Sequence, residues 1–174
     1  MKKKVIKSAV ISLCLLCFVF SAAAQKRQPR KRTSKPSAAA ATGSFEIKNG
    51  ATQVSTQIKN VSKFLFNLGG VARVIEDLDR DIAARKASRN ADALNAKNKQ
   101  AVVTTIQNLR AGLAALEIEF RTKPALKSYL FQIQGIAEMA GRAEDQAAAG
   151  QVTESGRTLL LVIEKLSDTL AALP

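Results

Sequence analysis

Glu76 and Asp79 are the residues that come nearest to chemistry in this chain. Three positions apart on a helix, two carboxylates lie on one face, and such a pair can seed a metal site. Glu117, Glu119 and Glu138 are the acids that could complete it from other helical segments. Carboxylate-bridged metal bundles, however, take a Glu-x-x-His from each of two helices, and this chain has no histidine. "DLDRD" (77–81) also lacks the spaced ligands and turn glycine of a calcium loop. No metal or other cofactor is expected. Asp79 instead reads as an acid in an apolar seam, neutralised by Arg73, Arg80 or an arginine of another helix.

Catalysis fares no better on inventory. Histidine, the commonest general base, is absent, and both cysteines (Cys14 and Cys17) lie in the apolar run near the N-terminus. "GG" at 69–70 is followed by no Gly-Lys-Ser/Thr, so it cradles no phosphate. There is no tryptophan and one tyrosine, Tyr129, to line a cleft. The chain is read as a non-enzyme. The sequon "NVS" at Asn60 falls inside a helical pattern and is given no role.

Gly69 and Gly70 ask for another explanation, because two adjacent glycines cost a helix interior about 2 kcal/mol against alanines. The plain reading is a kink, or a neighbouring helix that approaches closely. The sharper one is a hinge or a ligand groove opened by the missing side chains, with Glu76 and Asp79 beside it.

A different chemistry belongs to "QKRQPRKRTSKPSAAAATGS" (25–44), which carries Lys26, Arg27, Arg30, Lys31, Arg32 and Lys35 with no acid. The chain's net charge of +13 divides unevenly. Four basic residues stand in 1–24 and six in 25–44, while from Phe45 onward 17 basic residues face 14 acidic ones. The segment is too poor in apolar residues to order itself and is expected to be a disordered basic linker. Its six cations suit an anionic envelope polymer, lipid headgroups or an acidic protein partner. The folded part carries little net charge, so it shows no basic face of the kind that binds nucleic acid, and nucleic acid is not the expected partner.

Ahead of the linker, "MKKKVIK", the apolar run Ala9–Phe20 and "SAAA" have the three-part form of a signal peptide ending at Ala24. The run is shorter than the roughly 20 residues a membrane-spanning helix needs. Export to the periplasm or beyond is therefore expected. The cations on both sides of the run keep an uncleaved inner-membrane anchor as the alternative.

The elements that position these residues follow from a helical period. Val54, Ile58, Val61, Leu65, Leu68, Ala72 and Ile75 recur at alternating spacings of four and three, Ile82 follows seven residues on, and Phe64, Val71 and Leu78 widen the stripe. Val102, Ile106, Leu109, Leu113, Leu116 and Phe120 mark a second helix. Leu126, Leu130, Ile133, Ala137 and Ala140 mark a third, and Leu159, Val162, Ile163, Leu166 and Leu170 a fourth. The first is expected to end near Ser88, with the second starting within or just after 89–100. Thr122 and Pro124 should open the third and Gly150 should close it. No sustained period-two alternation points to strands.

The expected fold is all-α: an antiparallel four-helix bundle over 45–174, with the long first helix kinked at Gly69-Gly70. At 130 residues it needs no disulfide to bury a core. Three function classes remain. The first is a small exported interaction or structural module tethered by its arm. A carrier or sensor for an apolar ligand or partner helix is the second, and nucleic-acid association through the tail the third. A homo-oligomer is compatible with the first.

Overall fold

The computed structural model describes residues 38–174, with side chains from residue 41. The signal segment and the six linker cations from Lys26 to Lys35 lie outside the described residues.

Every regular element among the described residues is helical, and four helices pack against one another. They are α1 (Ala38–Ala83), α2 (Ala91–Thr122), α4 (Ile136–Ala148) and α5 (Val152–Ala172). Between α2 and α4 stand a 3-10 turn (Lys127–Tyr129) and the four-residue α3 (Leu130–Ile133). None of these helices is long and apolar enough to cross a membrane.

The apolar stripes account for the packing. Val54, Val61, Leu68, Ala72 and Ile75 of α1 are buried, as are Val102, Ile106, Leu113, Leu116 and Phe120 of α2 and Leu159, Val162 and Leu166 of α5. Ile58, Leu65, Phe64 and Val71 pack against this core while only partly buried. Burying each large apolar side chain fully contributes about 1.5–3 kcal/mol, which is why period alone placed these helices.

Three expectations are corrected at the helix ends. First, α1 begins at Ala38, so the last seven residues of the expected linker are helical. Four consecutive alanines, the strongest helix formers, carry the helix outward, and Glu46 accepts a hydrogen bond from the Ala125 amide at 3.2 Å. Second, α1 stops at Ala83 rather than near Ser88, because Arg85 takes a left-handed φ of 56°. Third, the helix expected from Thr122 to Gly150 is not one helix. The Thr122 hydroxyl donates to the Ile118 carbonyl at 2.8 Å and so closes α2 instead of opening a new helix. Gly135, at φ 91°, separates α3 from α4. Gly150 ends α4 in the left-handed conformation expected of it, at φ 81°.

Candidate functional site

At Gly69 and Gly70 the close-approach reading is overturned. A Cβ built on either residue meets nothing within 4 Å, so no neighbouring helix needs the missing side chain. The helix also runs through the pair without a break. The glycine in contact with a neighbour is on the other side of the same groove: a Cβ at Gly156 would stand 3.3 Å from Leu68 Cδ2. Gly156 thus lets α5 settle onto α1, while Gly69 lies open beside it.

The resulting groove between α1 and α5 holds about 520 Å³. Leu65, Leu68, Gly69 and Ala72 line it from α1, and Val152, Gly156 and Leu160 from α5. Leu65 is only partly buried because it borders this opening. Nearby on the surface, Phe66 is 87% exposed, far more than its apolar ring favours, and Leu160 is 51% exposed.

Polar groups stand along the same groove. Glu76 accepts a 2.7 Å hydrogen bond from the Thr153 hydroxyl, which ties α1 to α5. Arg157 pairs with Glu154 at 2.8 Å within α5. No ion pair among the described residues engages Arg73, so the groove has a free cation over an apolar floor.

Glu76 and Asp79 do not act as a pair. Glu76 faces α5, whereas Asp79 accepts hydrogen bonds from Lys99 at 2.8 Å and Asn95 at 2.6 Å, both on α2. The partner of Asp79 is therefore a lysine and not one of the expected arginines; Arg80 pairs with Asp77. Lys99 prevails because α2 runs alongside this face of α1. Asn95 is nearly fully buried and its Oδ1 has no partner.

Glu117 and Glu119 are committed elsewhere. Glu117 accepts from the Ala137 amide at 2.9 Å, satisfying a backbone donor in the first turn of α4. Glu119 pairs with Lys123 at 3.1 Å. At about 1.5 Å per residue, Glu117 lies roughly 27 Å along α2 from Lys99, so these carboxylates do not converge on Asp79. Gln107 and Arg110 both bond Glu144, at 2.8 and 3.1 Å, and hold its carboxyl below the ordinary value of 4.5 against the opposing effect of burial.

The groove's α5 wall was missed in the sequence. Its signals were Gly156 inside a helical pattern and the run Leu159–Leu161, of which a single stripe buries one residue and leaves Leu160 and Leu161 half exposed. No family model, no curated protein and no solved structure matches the chain.

Proposed function

We propose that this protein is a small non-enzymatic interaction module of the cell envelope, built as an antiparallel four-helix bundle. Its groove between α1 and α5 receives a helix of a partner, and its basic arm adds an electrostatic tether to an anionic surface. The antiparallel reading is supported by the pairings: Asp79 meets Lys99 while, further back along α1, Gly50 stands at Leu126. Likewise Glu76 meets Thr153 and Leu68 meets Gly156.

The observation that carries the functional reading is an apolar floor left uncovered where the sequence removes side chains. Gly69 and Gly70 weaken α1 without serving any contact within the fold. Flat, glycine-bearing surface beside exposed Phe66 is the kind of surface that accepts the apolar face of an amphipathic helix. A second reading, a carrier for a small apolar ligand, is favoured by the groove's volume, which falls within the roughly 300–1,000 Å³ of small-molecule sites.

Capture from native envelope tests the first reading, using the intact chain and Leu160→Glu. A partner that is retained by the intact chain, lost with Leu160→Glu, and mapped to α1 and α5 by direct binding supports the proposal. Equal retention by both chains overturns it. A rise in melting temperature with an apolar fluorescent probe, abolished by Leu160→Glu and without any captured protein, would favour the carrier.

A further inference from the structure

Two helices of this molecule end in the same way with different residues. At the end of α1, the Lys86 amide bonds the Asp81 carbonyl at 2.9 Å and the Arg85 amide bonds Ile82 at 3.0 Å. At the end of α4, the Gln151 amide bonds Gln146 at 2.8 Å and the Gly150 amide bonds Ala147 at 3.0 Å. Both are the terminus that calls for a left-handed residue, usually glycine. Gly150 meets that demand at φ 81°, but Arg85 adopts φ 56° with a Cβ and a long side chain. It is the only residue other than glycine with positive φ among those described.

The structure gives Arg85 no local compensation. Arg85, Lys86 and Arg89 are all exposed, and none is joined to an acid. No acidic residue occurs between Ile82 and Ala91. A backbone position that disfavours arginine therefore lies within a loop of three exposed cations and no acid. Backbone strain of this sort points to a task for the side chain that carries it.

We propose that the α1–α2 loop is a contact site for anionic phospholipid headgroups, with Arg85, Lys86 and Arg89 as its binding residues. It is independent of the groove and of the arm. The loop's composition favours a lipid surface over a nucleic acid: no aromatic residue lies between Arg80 and Gln100 to stack a base. Leu94, in the first turn of α2, is 50% exposed and provides the apolar group that an interfacial contact buries among headgroups.

The test uses the full chain with all six arm cations changed to glutamine, so that the arm contributes no charge. Affinity for vesicles of phosphatidylcholine containing about a third phosphatidylglycerol is divided by affinity for pure phosphatidylcholine. Each basic residue near an anionic surface strengthens binding about fivefold. Arg85→Gln/Lys86→Gln/Arg89→Gln should therefore lower the ratio about 100-fold, and the loss should shrink between about 50 and 200 mM salt as charges are screened. Lys48→Gln/Lys59→Gln/Lys63→Gln removes equal charge from exposed positions of α1 and should leave most of the ratio intact. Unchanged melting curves confirm that each chain folds. An unchanged ratio in the loop variant, an equal loss in the α1 variant, or equally tight binding to a single-stranded DNA would each overturn the proposal.

Discussion

Gly50 and the Gly69-Gly70 pair are glycines of one helix, and they stand in opposite surroundings. A Cβ at Gly50 would press to 2.8 and 3.0 Å from the methyl carbons of Leu126, a side chain with no exposure at all. A Cβ at Gly69 or Gly70 would meet nothing within 4 Å. The first glycine is needed by the fold, because the chain leaving α2 must seat Leu126 against α1. The pair lowers helix stability with no return inside the bundle. Helix α1 is thus divided along its length: its N-terminal half uses a missing side chain to pack, and its C-terminal half carries two glycines whose Cβ positions face open space.

The packed side of this division should show the largest effects. Leu126→Ala should cost about 2–5 kcal/mol, the range for truncating a buried leucine, measured by denaturant unfolding. A loss under 1 kcal/mol would mean that the Gly50 contact is not part of the core. Gly50→Ala should cost about 1–3 kcal/mol, because the buried Leu126 has nowhere to turn and overpacking outweighs the gain in helix propensity. An increase in stability would erase the contrast with Gly69 and Gly70.

Gly156→Ala probes an intermediate degree of packing. Its Cβ would stand 3.3 Å from Leu68 Cδ2, a distance that a shift of a few tenths of an ångström relieves. The strain and the gain in propensity, each about 1 kcal/mol, should leave stability within about 1 kcal/mol of the original. A loss comparable to that of Gly50→Ala would show that the groove wall is as tightly packed as the core.

The smallest expected effect concerns acid. Glu144 titrates below its ordinary value in the folded chain, so its bonds to Gln107 and Arg110 stabilise the protein above the unfolded value of 4.5. That contribution is lost as pH falls through the lower, folded value. Glu144→Gln should therefore flatten the acid limb of the stability curve slightly while leaving it unchanged in shape above about pH 6. Identical acid limbs would mean that the Glu144 cluster contributes nothing measurable.

The helices were legible in the sequence because burial follows a 3.6-residue period: Ile106, Leu113, Phe120, Leu159 and Leu166 were placed in the core by spacing alone. Helix ends were harder. Thr122 and Pro124 carry the residue types of a helix start, yet the stripe ending at Phe120 and the bond from Thr122 back to Ile118 make this point the end of α2. The Arg85 terminus had no glycine to announce it. As for the groove, the glycine pair and Glu76 were visible, but the wall opposite them was not. Which face of α5 meets α1 depends on tertiary packing, and the partner of Asp79 on how α2 is set beside α1; neither is written in a single helix's pattern.

Whether Gly69 and Gly70 keep a surface open is decided by thermal unfolding of Gly69→Ala/Gly70→Ala. If the pair serves an open surface and nothing in the fold, the double variant keeps its helical content and gains about 1–2 kcal/mol. Its melting temperature then rises by several degrees. A melting temperature below that of the original chain would mean that the bundle itself requires both glycines, and the open-surface reading of α1 would fall.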